Sequence, residues 1–535
     1  MIRFALRAGR ARIRTVAPAA RAVGRALVTM SAGLPLLGSA TPAAAQPVDP
    51  ARIDAAAEAH RGEALELYRE LLRLPNDAHF ADDILRLLEF WEARFEERGF
   101  STERIPTDGG SPVLLAERPR AGAERTVLVY LQADGQPVDP SAWNQPDPYE
   151  PVLKARGPDG ELEPIPWERL EGVIDPEWRV FARSAADSKG PNAQFLAAMD
   201  VLEAVGAEPS VSLKVIVDTE EEMGSPRLPD AVRRHRERLA ADMLVIFDGP
   251  PHLSGEPTLK FGARGIATVT LTTYGPRVPV HSGHFGNYAP NPVFRMARIL
   301  DSVKDDAGRV TIPGWYDGVE LDEATLAALA RVPDDEAEIQ RDLGIAMIDS
   351  VAPTLQRALQ YPSLNVRGIR AAWVGDEART IVPATATAEI DVRLVRESDP
   401  ERLIRLLREH VEGLGFTVLD RAPTDEERLA HPRIATLTHE IAYAAFRTPF
   451  DSDLGLWLRR GMERLYGEEP ILLRTSGGSI PISPFVTTLG IPAVTVPTVN
   501  PDNNQHSPNE NLKAGAFLEG IRTIAVVLAE PTTGR

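Results

Sequence analysis

The residues best suited to chemistry in this sequence are acids that fall just after apolar runs, together with one late histidine. The acids lie in Gln132-Ala133-Asp134-Gly135-Gln136-Pro137, Ala186-Asp187-Ser188-Lys189-Gly190, Asp218-Thr219-Glu220-Glu221-Glu222-Met223-Gly224-Ser225 and Phe247-Asp248-Gly249-Pro250. The histidine opens His506-Ser507-Pro508-Asn509-Glu510. Taken singly, each has a bland explanation. An Asp or Glu after a strand caps the next helix, and three acids in a row form a solvated face. Taken together, carboxylates and an imidazole are the donors of a hydrolytic metal site, where a cation activates water and a spare carboxylate moves its proton. The chain has no cysteine, which excludes disulfides, thiolate metal sites and a cysteine nucleophile.

Such residues need a scaffold that brings them to one edge. Residues 51–99 show helical apolar spacing, in Leu65, Leu71, Leu72, Ile84, Leu87 and Leu88. Strands are predicted at 111–116, 126–131, 212–218 and 244–247, with helices at 191–205 and 231–240 between the later ones. This alternation predicts an α/β sheet, whose chemistry sits at the carboxyl ends of its strands. Near Phe261 the pattern changes. Strands at 266–273, 384–394 and 416–419 and helices at 292–303 and 400–414 predict a small α+β domain with a ferredoxin-like order and one solvated sheet face. Residues 304–360 read as an acidic, mostly helical insertion in it. Helices at 434–446, 454–466 and 514–528 and a strand at 493–496 return the chain to the large domain. The expected layout is a catalytic domain over 46–260 and 425–535, interrupted by a small domain over 261–424.

In order and spacing, these segments resemble the di-zinc metallopeptidase family that includes carnosinases, aminoacylase, acetylornithine deacetylase/succinyl-diaminopimelate desuccinylase and glutamate carboxypeptidase. The likeness is strongest to the dipeptidase branch. It extends through Pro137-Val138-Asp139-Pro140-Ser141-Ala142-Trp143, Glu150-Pro151-Val152-Leu153, the run from Gly262 to Pro292 and Thr475 to Pro481, and so covers nearly the whole chain after residue 45. The resemblance implies a zinc-peptidase-like domain with a mixed central sheet and a smaller lid and dimerisation domain. It implies that Asp187 bridges two metals, that Glu222 and His506 complete one site, and that Asp248 belongs to the other. Glu221 is then the general base, and Asp134 the carboxylate that orients the first metal ligand. His281, in Val280-His281-Ser282-Gly283, matches a histidine that reaches into the partner subunit's site and stabilises the oxyanion there. Asn365, Arg393 and the backbone of Gly477 and Gly478 match substrate-binding positions, and a guanidinium suits a substrate carboxylate. The cofactor implied is zinc, one or two per chain, with manganese or cobalt as alternatives. The implied assembly is a homodimer. The implied substrates are dipeptides or short peptides, with N-acyl or N-carbamoyl amino acids as a second class. A non-catalytic ligand-binding protein on the same fold is the rival from another class.

Two positions depart from the family. Where the family has His-x-Asp, this chain has Gln132-Ala133-Asp134, and an amide oxygen is a far weaker zinc ligand than imidazole. Four outcomes are open: Gln132 ligates a harder metal, Asp134 replaces it, only the Asp187–Glu222–His506 site fills, or catalysis is lost. The carnosinase arginine two residues before the glycine pair is Thr475 here, with Arg474 one residue earlier.

The chain has 535 residues, 43% hydrophobic and 25% charged, the balance of a globular protein large enough for more than one domain. Its first 45 residues hold seven arginines and no acid, then a short apolar run broken by Gly33 and Pro35, then Thr41-Pro42-Ala43-Ala44-Ala45. That pattern reads as a secretory signal cleaved after Ala45, with a mitochondrial-type presequence as the alternative. The expected location is therefore periplasmic or extracellular. The net charge of −18 opposes nucleic-acid binding, and no later segment is apolar enough to span a bilayer.

Overall fold

The structure, a computed structural model, describes residues 47–532. The signal segment lies outside those residues. Among them, no helix is long and apolar enough to cross a membrane.

An eight-stranded mixed sheet forms the large domain. Its strands run in the order Ser101–Ile105, Val113–Arg118, Ser212–Asp218, Thr126–Gln132, Met243–Phe247, Ala493–Val496, Thr258–Lys260 and Ile471–Leu473. The middle four are mutually parallel. Their side chains alternate between two buried faces. Val127, Val129, Val215, Val217, Val245 and Phe247 meet helices Pro50–Leu72, Lys189–Ala204 and Ala514–Ala529. Leu128, Tyr130, Ile216, Leu244 and Ile246 meet Leu228, Val232 and Phe485 on the other side. Burial on both faces explains why these strands read as continuous apolar runs.

The small domain is a five-stranded sheet in the order Ser363–Arg370, Thr385–Leu394, Gly265–Tyr274, Ile434–Tyr443 and Thr417–Leu419. Helices Pro292–Val303 and Pro400–Gly413 cover one face, burying Met296, Ile299, Leu403 and Leu407 against Val269, Leu271 and Ile390. Asp399 starts the second helix by accepting from Arg402 N, with Pro400 in its first turn.

One expected helix is a strand. Residues 434–443 pair antiparallel with 265–274, in a register that sets Leu437 opposite Leu271 and Thr436 opposite Thr272. The apolar spacing of Ile434, Leu437 and Ile441 fits a helix, but the alternating threonines and the waiting strand edge decide the outcome. The small domain therefore extends past 424 to about residue 443. The chain crosses back at Phe446–Arg447, which pairs with Gly262–Ala263. The helix expected at 231–240 is the shorter Leu228–Arg234. The insertion contributes three short helices, and Trp315 within it packs into the small-domain core.

Candidate metal centre and active site

Strand ends place the site. Gln132 ends its strand, Asp248 follows the strand 243–247, and the Glu221–Met223 turn follows the strand 212–218. Asp187 and His506 arrive by another route. Strand Asn511–Lys513 pairs antiparallel with Arg179–Phe181, so the loop before one strand meets the loop after the other. Glu510 fastens this junction. Its buried carboxylate accepts from Arg183 Nη1 at 2.8 Å and from the backbone N–H of Ser184, Ala186 and Asp187 at 3.0, 2.9 and 2.9 Å. Gly135 sits where a Cβ would come within 2.1 Å of Ser184 Oγ, so the two loops touch only because it is glycine.

Asp187, Glu222 and His506 converge, with one potential ligand atom from each within 4.8 Å of the others. His506 Nε2 lies 2.8 Å from Asp187 Oδ2 and 3.5 Å from Glu222 Oε2. Two carboxylates and an imidazole suit a divalent cation such as zinc. Gln505 and Gln136 donate to the same oxygens, at 3.3 and 2.7 Å. The hydrogen bond to Asp187 raises the His506 pKa to about 9 despite partial burial. Burial and the Asp187 charge raise Glu222 to about 7. Burial, then the charges of Asp187, Glu222, Asp134 and Asp248, hold Glu221 well above the usual carboxylate range. A cluster in which acids raise one another in this way is one that a cation relieves.

The other half of the expected pair is built differently. Gln132 Nε2 donates to Asp187 Oδ1 at 2.9 Å and to Asp248 Oδ2 at 3.3 Å. Ser188 Oγ lies 3.0 Å from Asp187 Oδ1 and 2.8 Å from Asp248 Oδ1, so its one proton is shared between the two carboxylates. Asp134 does not orient Gln132. It is buried and accepts from the backbone N–H of Glu221 at 2.9 Å and Glu222 at 3.0 Å, so it fixes the turn that carries both glutamates and is not free to replace a ligand. Adjacent Glu221 and Glu222 then diverge: Glu222 joins His506, while Glu221 forms no side-chain hydrogen bond among the described residues.

Arg393 links the small domain to the glycine loop, donating from Nη1 to Ser479 Oγ at 2.8 Å. Asn365 donates to Asp391 Oδ1 at 2.8 Å, and Arg393 Nε lies 3.6 Å from Asp391 Oδ2. Gly477 and Gly478 are exposed beside this chain of contacts. Arg474 turns away to the Gln360 amide oxygen. His281 is not brought to its own chain's acids. It is exposed, accepts from Gly283 N at 2.9 Å and lies against His284. Sequence reasoning missed Gln136, Ser188, Gln505 and the role of Glu510. Glu510 stood in a quoted motif, and only the strand pairing reveals what it holds.

Comparison with known proteins agrees with this architecture. A family model described as a peptidase dimerisation domain matches residues 261–416. The chain is 26% identical over 466 residues to the Cys-Gly metallodipeptidase dug1 of Schizosaccharomyces pombe, covering 85% of this chain and 90% of the relative. It is 23% identical over 499 residues to the Beta-Ala-His dipeptidase of Homo sapiens, covering 88% and 90%. Among solved structures, the M20 family metallo-carboxypeptidase Sso-CP2 of Sulfolobus solfataricus superposes with a TM-score of 0.72 at 27% identity, covering 88% of this chain and 99% of that one. With an acid-rich centre on the large sheet and a separate peptidase dimerisation domain, the chain is thus similar, along most of its length, to metallodipeptidases and to an M20 family metallo-carboxypeptidase.

Proposed function

We propose that this protein is an exported, metal-dependent dipeptidase that hydrolyses an amide bond next to a free carboxylate. The observation that carries the reading is the division of labour between two adjacent glutamates. Glu222 sits in the triad with Asp187 and His506, while Glu221 stands beside it, half-buried and unbonded. When bound by that triad, a divalent cation such as zinc, manganese or cobalt supplies Lewis-acid polarisation and makes water a stronger acid. Glu221 takes the proton from the attacking water and returns it to the leaving amine. Arg393, anchored by Ser479 and flanked by Asn365 and Asp391, offers a guanidinium for the substrate carboxylate, and the Gly477–Gly478 backbone lies beside it.

The small domain supports a homodimer. Strand Ser363–Arg370 is an outer strand, exposed from Asn365 to Arg370, and Phe294 and Tyr288 are exposed at 77% and 87%. A partner on that face would let His281 serve the opposite site and stabilise the oxyanion there. Export rests on the Arg-rich, apolar and Ala-x-Ala order of residues 1–45. N-acyl amino acids present the same carboxylate end, so one substrate panel separates the two classes. The test is hydrolysis of dipeptides and acylated amino acids before and after chelation, with the N-terminal residue of the mature protein determined alongside. Chelator-sensitive dipeptide turnover and a mature chain beginning near Gln46 are expected. Dipeptide binding without turnover, with zinc, manganese or cobalt added, would refute the catalytic reading.

A further inference from the structure

Asp187 faces two different environments. Its Oδ2 meets His506 Nε2, Glu222 and the Gln505 amide. Its Oδ1 meets two neutral donors, Gln132 Nε2 and Ser188 Oγ, and each of these also bonds Asp248. The space between Asp187 and Asp248, where a second cation would have to lie, is thus spanned twice by protein hydrogen bonds. An amide nitrogen and a hydroxyl proton present positive charge to a carboxylate and no lone pair to a metal.

The donor set there is also poor. It has no imidazole; of its neutral oxygens, the Ser188 hydroxyl directs its proton at the carboxylates and Gln132 Oε1 is buried without a hydrogen-bond partner. Turning the amide over would offer that oxygen to a cation. It would also give up the two hydrogen bonds that the amide N–H groups make to Asp187 and Asp248.

A protein cation lies nearby. Lys260 ends the strand Thr258–Lys260 and pairs with Thr495, in the strand beside the one that delivers Asp248. Its Nζ comes within 3.8 Å of where a Cβ on Gly249, the residue after Asp248, would be. The side chain is only partly exposed.

We infer that this centre takes a single exchangeable cation, at Asp187, Glu222 and His506, and that Gln132, Ser188 and the Lys260 ammonium occupy the structural and electrostatic place of a second one. Lys260 supplies a nearby positive charge, while Gln132 and Ser188 hold the two aspartates at a set spacing. Asp187 is left to aim Oδ2 at the triad. All three are positioning residues. The inference rests on the metallopeptidase reading above and specifies the composition of its centre.

The test is zinc stoichiometry on the purified mature chain, stripped with chelator and titrated with zinc alone, read by elemental analysis and native mass spectrometry. Wild type should bind one equivalent, His506→Ala none and Asp248→Asn one, since Asp248 is not a ligand. The double variant Gln132→His, Lys260→Met removes the cation and supplies an imidazole, so it should gain a second equivalent. Two equivalents in wild type, with one lost in Asp248→Asn, would overturn the inference and leave the peptidase reading standing. A folded double variant that still binds one would overturn the roles given to Gln132 and Lys260. No zinc in wild type would refute the metallopeptidase reading itself.

Discussion

Glu510 offers a direct test of how the centre is held in place. It accepts four hydrogen bonds, two on each oxygen, from Arg183 and the Ser184, Ala186 and Asp187 backbone. Glu510→Gln keeps the shape and one acceptor oxygen. If that oxygen stays on Arg183 and Ser184, an NH₂ group faces the amides of Ala186 and Asp187. If it turns over, the NH₂ group faces Arg183 and Ser184 instead, and in either orientation the buried Arg183 loses its counter-charge. Two hydrogen bonds to a charged group, each worth about 1.5–3 kcal/mol, are lost either way, so about 3–6 kcal/mol of stability should go. The segment released carries Asp187. Groups that orient a metal-binding carboxylate typically cost 10–100-fold in affinity when replaced, about 1.4–2.7 kcal/mol. The assay is zinc titration against a chromophoric chelator beside thermal unfolding, with Glu530→Gln as control. Glu530 is equally buried and pairs with Arg464 at 2.7 Å and Arg460 at 3.6 Å, on a helix end that carries no candidate ligand. Glu530→Gln should lower the melting temperature and leave zinc affinity alone, while Glu510→Gln should lower both. A Glu510→Gln protein that binds zinc within twofold of wild type would refute the claim that Glu510 sets Asp187.

Other consequences can be checked separately. Glu221→Gln should cut kcat by about 10²–10⁴-fold, the usual contribution of a general base, while zinc content stays at the wild-type value; loss of metal would make Glu221 a ligand instead. His281→Asn and Glu221→Gln chains, each nearly inactive alone, should recover activity when mixed under conditions that exchange subunits, because a hybrid dimer holds one intact site. No recovery in a mixture shown to form hybrids would remove His281 from the partner's chemistry. Asp334, in the insertion, is held below the usual carboxylate range chiefly by its 2.8 Å hydrogen bond to His252, with Gln356 adding to it. Its folded pKa is depressed, so its contribution to stability is present above the unfolded value and is lost as pH falls through the folded one. The melting-temperature gap between wild type and Asp334→Asn should therefore be open at neutral pH and close in acid, and a gap independent of pH would contradict this account.

Strands buried on both faces, such as 126–132 and 243–247, announce themselves as apolar runs, and the acids that follow them are easy to place. The strand Ile434–Tyr443 is different. Its apolar residues recur at a spacing that a helix also satisfies, and only the unpaired edge of the strand 265–274 decides between them. The site divides the same way. Asp187, Glu222 and His506 are recognisable by type and order, and the structure brings them together. The part played by Asp134 is not recognisable, because backbone N–H groups leave no mark in a sequence, and Asp134 bonds two of them. Gln132 is visible as an oddity, but its meaning depends on Ser188 and Lys260, which look unremarkable until the fold brings them near Asp248.

The paired crossing between the domains bears on how the chain comes to fold. Gly262–Ala263 enters the small domain and Phe446–Arg447 leaves it, side by side, and Thr448 N bonds Phe261 O at 2.7 Å beneath them. The small domain is thus a closed loop of chain, and every strand of its sheet precedes residue 444. The large sheet has no such autonomy. Three of its strands, 258–260, 471–473 and 493–496, are neighbours in space but straddle that loop. During synthesis, the small domain can finish folding while the large one still exposes the edge of the strand 243–247. The strand 511–513, which delivers Glu510 and His506 to Asp187, is made later still. The centre is therefore assembled only after the surface proposed for pairing with a second subunit is already in place.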